Sequence, residues 1–441
     1  VKLRTAELEQ SLQTVRELKI KQDGDYFLTS LLLKPLNGCF SQSENTDVEI
    51  FLKQKKEFSF RKWETEIGGD LCLSYNLTLK SRDYVVFINA DAMGKSIQGA
   101  GGALVAGVVF KSVVTRTQLS SAGQNKEPER WLKDCFSELQ NTFISFDGSM
   151  LLSAVIGLVA DKSGFCYYIN AEHPYPALLR DGKAVFLGTD AVRRKIGIDA
   201  IETPLVIETI QLQRGDVLQL GSDGRDDLLL SFQGEQRVIN EDESLFLRNL
   251  ENSRGIQQEL VRAIEQCGQL TDDLSLLRIS WQEDAPLRMN APPLELYQKV
   301  QAGLHDPGPI STQMIQEIKT ILHEHPHFND AWLLAARISQ TRQDWHIARQ
   351  YYQEYTARQP ADLEAVFQLV LCCKKLKDYR AAVDYAEAIR LRDRENLRNL
   401  IALADCYRLL SNSERARKIL LEAKGIDPAH PNVIKLDELL Q

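Results

Sequence analysis

The sequence predicts an α+β chain: antiparallel β-sheets flanked by helices, with a helix ahead of them and an all-α repeat behind. Three observations predict it. Short apolar runs of period two fill residues 48–282, a helix-period stretch precedes them, and residues recur at a 34-residue spacing after them. At 441 residues the chain is too long for one ordinary hydrophobic core, so two or three domains are expected. The boundaries fall at 1–40, 41–282, 283–294 and 295–441.

Composition narrows the class. With 44% hydrophobic and 26% charged residues and no low-complexity tract, the chain reads as a soluble globular protein. No apolar run approaches the ~20 residues of a membrane span, and the opening VKLRTAELEQSLQ is too charged for a signal peptide. A formal net charge of -8 argues against nucleic-acid or anionic-membrane partners, which need a basic face to displace counterions. The eight cysteines (Cys39, Cys72, Cys135, Cys166, Cys267, Cys372, Cys373, Cys406) form no CxxC pair, which favours buried, reduced thiols in a cytoplasmic setting. Residue 1 is Val rather than Met, so an upstream sensor or membrane segment is expected.

Residues 1–35 read as helix. Val1, Leu8, Leu12 and Val15 fall on one heptad seam with Thr5 between them. A short coiled coil that pairs two copies, and an amphipathic helix lying on its own domain, both satisfy that pattern. A second helical stretch, DYFLTSLLLKPL, is stopped by Pro35 and Gly38.

Strands are expected at DVEIFLK, DLCLSYNLTL, YVVFINA, SAVIGLVAD, FCYYINA, AVFLG, PLVIETIQL, VLQLGS and LSLLRIS, with helices at IQGAGGALVAGVVFKSVVTR and twice after Glu241. Turns at Asp-Gly and Lys-Ser-Gly connect hairpins rather than long crossovers, which favours antiparallel over parallel sheets.

QEDAPLRMNAPP, with three prolines and no periodicity, reads as a linker. The repeat follows. Ala348, Ala382 and Ala416 share the 34-residue period, as do Trp332, Val366 and Leu400, and Ala335, Leu369 and Leu403. Pro326, Pro360 and Pro428 keep it too, with Arg394 at the skipped position. Residues 329 to about 430 resemble tetratricopeptide (TPR) repeats, with a small residue at each helix crossing and Pro closing the second helix. An atypical unit from 295 to 328 precedes them and PNVIKLDELL caps them, forming a solenoid that offers a surface to a peptide or protein partner.

Four acidic clusters punctuate the β region at strand ends: Gly68-Gly69-Asp70, Asp91-Ala92-Met93-Gly94-Lys95-Ser96, Ser222-Asp223-Gly224 and Asp272-Asp273-Leu274-Ser275. Any one of these taken singly is an ordinary turn. Together they set carboxylates against strongly apolar strands, where ionised groups are costly without a partner, and no Lys or Arg sits beside each of them. A divalent cation satisfies such a set, and oxygen-only ligands suit Mg²⁺ or Mn²⁺. Gly94-Lys95-Ser96 is not a phosphate-binding P-loop, because Asn89 stands where that motif needs Gly. His173, between Glu172 and Pro174, reads as structural rather than as a ligand.

These motifs resemble the SpoIIE/RsbU branch of the PPM metal-dependent protein serine/threonine phosphatases. Its GGD, DVxGKG, AGHNPP, TDG and DDxT elements are matched in order by the four clusters and by Ala171-Glu172-His173-Pro174-Tyr175-Pro176, over residues 65–280. Leu212 to Gly224 also follows the family string LxxGDxLxLxTDG. Departures are Lys95-Ser96 for His-Gly, Glu172 for Gly, and Ser222 and Ser275 for Thr.

The resemblance implies a PPM-type β-sandwich with two Mn²⁺ or Mg²⁺ ions at one end. Asp91 would bridge them, the Ala92 carbonyl would ligate one, Asp223 and Asp272 would complete one site, and Asp70 would serve the other directly or through water. The implied activity is hydrolysis of phosphoserine or phosphothreonine on a signalling protein, with an anti-sigma factor antagonist as the substrate by analogy. In that branch a helical linker dimerises and switches activity, a part open to residues 1–40. The rival reading is a catalytically silent scaffold that only binds partners. Four intact aspartates weigh against it. A two-metal phosphodiesterase or nucleotidase is a weaker third.

Overall fold

Period-two patterning becomes antiparallel pairing wherever both faces of a run are covered. The computed structural model describes residues 2–94, 96–188, 193–199, 205–233, 236–282, 293–305 and 311–440. The chain divides into two units, one of Val1–Lys126, Trp131–Pro204 and Leu212–Asp284, the other of Glu127–Arg130, Leu205–Gln211 and Ala285–Gln441. Val1, the side chain of Thr5, Lys95 and nearly all of the expected linker lie outside the described residues.

In the first unit, one sheet runs in the order Gly38–Cys39, Asp70–Leu79, Arg82–Ala92, Leu152–Ala160, Phe165–Ala171. A second runs Lys183–Phe186, Ala177–Arg180, Val217–Gly221, Leu274–Trp281, Thr46–Lys53. Pairing is antiparallel except where Gly38–Cys39 lies parallel to Leu73 and Ser74. Leu152–Ala160 and Phe165–Ala171 are buried throughout, so both faces of that sheet are covered. The sheets face each other, as the Asn89 amide reaching across to the Ser275 hydroxyl at 2.8 Å records. Helix Ile97–Gln118 covers the first sheet, and Phe246, Leu250, Leu260 and Ile264 from Leu245–Asn252 and Gln257–Cys267 pack on the second. The unit is a β-sandwich flanked by helices.

Three features differ from the sequence expectation. The N-terminal segment is one helix, Lys2–Leu33, running through Gly24 before a 3-10 turn at Lys34–Leu36. Packing outweighs the cost of about 1 kcal/mol for a helical glycine, since Tyr26 and Phe27 lie on Phe58 and Phe60 with ring centroids at 5.5 and 5.2 Å. Its first half is different: Leu8, Leu12 and Val15 stand 62%, 49% and 61% exposed. The partner of those rings, the hairpin Lys56–Phe60/Trp63–Ile67, was not anticipated because its turn carries Arg61 at φ 55° without Gly or Asn. Finally, Ile97–Gln118 is long and apolar enough to cross a membrane by length and composition, contrary to the expectation that no run approaches that length. Here it is a core helix, with Ala100, Ala103, Ala106 and Phe110 wholly buried. No cysteine is in a disulfide, and Cys39 alone is exposed.

The second unit is a helical repeat. Helices begin at Asn329, Leu363, Leu397 and Pro431, and their partners at Trp345, Tyr379 and Ser413, each 34 residues after the last. Gln343, Lys377 and Ser411 hold the same place in the intervening turn, at φ 63°, 59° and 60°. The amides after them close back on Ser339, Cys373 and Tyr407 at 2.9 Å each, satisfying carbonyls that the ended helix leaves open. Ala348, Ala382 and Ala416 are fully buried at the crossings. Ala382→Leu forces extra methyl groups into that crossing and is expected to cost about 1–3 kcal/mol. Denaturant unfolding that shows no loss of stability in this variant would contradict the packing described.

Candidate active site

Strand register brings the four clusters to one end of the sandwich. Asp70 opens its strand directly opposite Asp91 near the end of the neighbouring one, and Asp91 in turn faces Ser153. In the second sheet Val217–Gly221 pairs with Leu274–Trp281, so Asp223, just past the first, and Asp272, just before the second, leave at the same end. Hydrogen bonds tie the sheet ends together. The Ser222 hydroxyl donates to Asp70 Oδ2 at 2.6 Å and accepts from the Ser275 amide at 3.0 Å. Asp273 accepts from the Gly69 amide at 2.7 Å and the Lys55 amide at 2.6 Å, fixing the Gly68-Gly69-Asp70 turn. A Cβ on residue 224 would stand 1.9 Å from the Asp273 carbonyl oxygen, so only glycine lets these two turns meet.

The electrostatics are those of an under-neutralised cluster. Burial, then the nearby charge of Asp91, pushes the Asp70 carboxyl well above its usual range, against the pull of the Ser222 hydroxyl. Burial pushes Asp91 up to about 7, reinforced by Asp223, Asp272 and Asp273 and opposed by Lys195. Asp223 rises to about 6, by burial and then by Asp272 and Asp227. Asp273 is raised by burial while its two backbone donors hold it down. Among the described residues, none of Asp70, Asp91, Asp223 and Asp272 forms a salt bridge.

Two observations fit this set to divalent cations. Asp70 Oδ1 is buried with no hydrogen-bond partner, an uncompensated acceptor of the kind a cation or its water satisfies. A Cβ on residue 69 would lie 2.5 Å from the Ala92 carbonyl oxygen and 3.2 Å from Asp91 Oδ1, so Gly69 keeps clear the space beside two of the expected ligands. Among the described residues no three His, Cys, Asp or Glu side chains stand close enough together to hold a metal ion by themselves. A set completed by a backbone carbonyl and water is an open site of the kind that keeps positions for substrate.

His173 lies behind the carboxylates. Its Nε2–H donates to Asn89 Oδ1 at 2.8 Å, because an amide oxygen only accepts, and its Nδ1 therefore accepts from the Ser153 hydroxyl at 2.9 Å. Burial, helped by Arg225 and Lys195, pushes it down to about 3, so it stays neutral. With both ring nitrogens engaged, it braces the strands that carry Asp91. The family departures are mild here. Ser222 and Ser275 keep the hydroxyls that the network uses, and Glu172 adopts φ 54°, the left-handed conformation a glycine would take freely.

Sequence reasoning missed Lys195 and the bracing role of Asp273. Lys195 sits in Arg193-Arg194-Lys195, which reads as a solvated charge run, and Asp273 is hidden beside Asp272. A cleft of about 480 Å³ opens beside Asp272, lined among others by Lys53, Lys55, Glu57 and Glu265.

Asp91 gives the site a pH signature without metal. Its carboxyl is raised from 3.8 to about 7, so the stability it contributes is complete below pH ~4 and lost as pH rises through about 7. In EDTA, Asp91→Asn is therefore expected to unfold later than wild type at pH 8, by on the order of 2–4 kcal/mol, and alike at pH 4. Equal or lower stability of the variant at pH 8 would contradict this.

Comparisons with known proteins bear on the same region. Residues 81–282 match the family described as Stage II sporulation protein E (SpoIIE). No curated protein matches the chain. Among solved structures, the RsbU and RsbW domains of Rv1364c from Mycobacterium tuberculosis are 16% identical, covering 68% of this chain and 74% of that one at a TM-score of 0.43. The SiaA-PP2C domain of Pseudomonas aeruginosa is 14% identical, covering 61% and 98% at 0.42. The PP2C phosphatase domain of SpoIIE from Bacillus subtilis, with a fragment of its regulatory domain, is 14% identical, covering 54% and 64% at 0.39. The family match thus spans just under half of the chain, and what it shows is that residues 81–282 are similar to the SpoIIE family.

Proposed function

We propose that the chain is a metal-dependent protein phosphatase that hydrolyses phosphoserine or phosphothreonine on a signalling protein. The observation that carries this reading is the convergence of Asp70, Asp91, Asp223 and Asp272 at one sandwich end, with the Asp70, Asp91 and Asp223 carboxyls raised by burial and by neighbouring carboxylates and with Asp70 Oδ1 left without a partner. Asp91, the Ala92 carbonyl, Asp223, Asp272 and Asp70 are the residues that would hold two Mn²⁺ or Mg²⁺ ions. The chemistry such ions supply is Lewis acidity, which makes water nucleophilic at neutral pH and neutralises phosphoryl charge.

The chain's own part is to hold this constellation rigid. Ser222 fixes one oxygen of Asp70, Asp273 fixes the Gly69 turn, and Asn89 with His173 braces the Asp91 strand. Such preorganisation is where most of the rate advantage of a phosphoryl-transfer site lies. His173 is not the proton donor to the departing serine, being neutral and fully engaged.

The test is hydrolysis of a phosphoserine peptide by the full chain with Mn²⁺, Mg²⁺ or EDTA. Turnover is expected with metal, none with chelator, and a fall of at least about a hundredfold in Asp91→Asn. Metal-independent turnover, or Asp91→Asn matching wild type, would contradict the mechanism. No turnover with either metal would leave the scaffold reading in its place.

A further inference from the structure

We propose that the Lys195 ammonium is the phosphoryl-binding cation of this site, gripping the dianion of the phosphorylated side chain where it meets the carboxylates. The proposal rests on the phosphatase reading above and adds a residue to it.

The segment around Lys195 is pinned on both sides. Ile196 exchanges two backbone hydrogen bonds with Leu152, at 2.8 and 3.0 Å, and Leu152 is the register partner of Ala92. Lys195 thus adjoins Ile196, which lies two strand positions across from Ala92 with Leu152 between them. The Gln140 amide grips the next turn, its oxygen accepting from the Gly197 amide at 2.9 Å and its nitrogen donating to the Ile198 carbonyl at 2.8 Å. On the other side the Arg193 guanidinium lies 4.5 Å over the Tyr175 ring. A lysine on an ordinary loop would sweep a wide volume. This one starts from a fixed Cα.

Its charge reaches the site but is not consumed there. Lys195 is half-buried and acts on Asp91, Asp223 and His173, yet among the described residues it makes no hydrogen bond or salt bridge. Two other cations at this end of the unit are committed. Arg225 is buried against Phe246 and bonded to Asp226 and the Tyr175 carbonyl. Lys55 Nζ is bonded to the Leu270 carbonyl. A phosphomonoester carries nearly two negative charges at neutral pH, and lysine is a competent phosphate binder as a point charge on a flexible stem. Lys195 can therefore bind a phosphoryl oxygen without breaking any contact.

The experiment uses the full chain with Mn²⁺, a phosphoserine peptide as substrate and inorganic phosphate as competitive inhibitor, in wild type, Lys195→Met and Lys195→Arg. Losing one charged hydrogen bond is expected to raise both KM and the phosphate inhibition constant about 10- to 100-fold in Lys195→Met. Lys195→Arg, which keeps the charge, should stay within about threefold of wild type. Calorimetry should find Mn²⁺ binding by Lys195→Met no weaker than by wild type, since removing a cation beside carboxylates favours metal. An active Lys195→Met with unchanged KM and phosphate inhibition overturns the role of Lys195 alone. So does a loss explained by weaker Mn²⁺ binding. A wild type that binds Mn²⁺ and hydrolyses nothing overturns the phosphatase reading, and this proposal with it.

Discussion

Everything at the working end of the sandwich depends on one constraint: several carboxylates are held close together, Asp70 buried and Asp91 partly so, without enough positive charge among them. Left to itself such a cluster would spread or unfold locally, because like charges repel more strongly as water is excluded. The fold prevents this with neutral donors. Ser222 ties Asp70 to the turn of the other sheet, the Lys55 and Gly69 amides hold Asp273, and Gly224 lets the two turns approach. The sheets thus meet at the place where their charges most oppose it. In this account, the energy gained on neutralising the cluster is available for binding cations and a phosphoryl group.

Much of this was legible in the amino-acid order, for a physical reason. An aspartate beside an apolar strand such as VVFINA or VLQLG must be explained by its surroundings, and four of them in sequence order pointed to a shared partner. The two-residue period of those strands also placed Asp70, Asp91, Asp223 and Asp272 at strand ends. Their convergence at one end needed the register, which pairs Asp70 with Asp91 and brings Ser222 to Ser275. Lys195 was illegible because its significance is wholly tertiary, set by the Leu152 bridge and the Gln140 clamp from distant segments. The Lys56–Ile67 hairpin escaped because its turn lacks the residues that normally mark one.

The helical unit was read more easily, since each repeat contacts chiefly its neighbours and its contacts recur at a fixed spacing. Ala348, Ala382 and Ala416 are fully buried because any larger side chain would push crossing helices apart. The turns at Gln343, Lys377 and Ser411 were not signalled, as each adopts a left-handed conformation without glycine. The N-terminal helix follows, over its second half, the reading of a helix lying on its own domain. Tyr26, Phe27 and Leu33 lie on the domain, while Leu8, Leu12 and Val15 face solvent.

Crystals grown with Mn²⁺, examined by anomalous diffraction at the manganese edge, test the central claim most directly. The account predicts two peaks at the carboxylate end of the sandwich, with Asp91 touching both, the Ala92 carbonyl on one, and Asp70, Asp223 and Asp272 in the ligand shells. Peaks that avoid these residues, or no peak at saturating Mn²⁺, would contradict it.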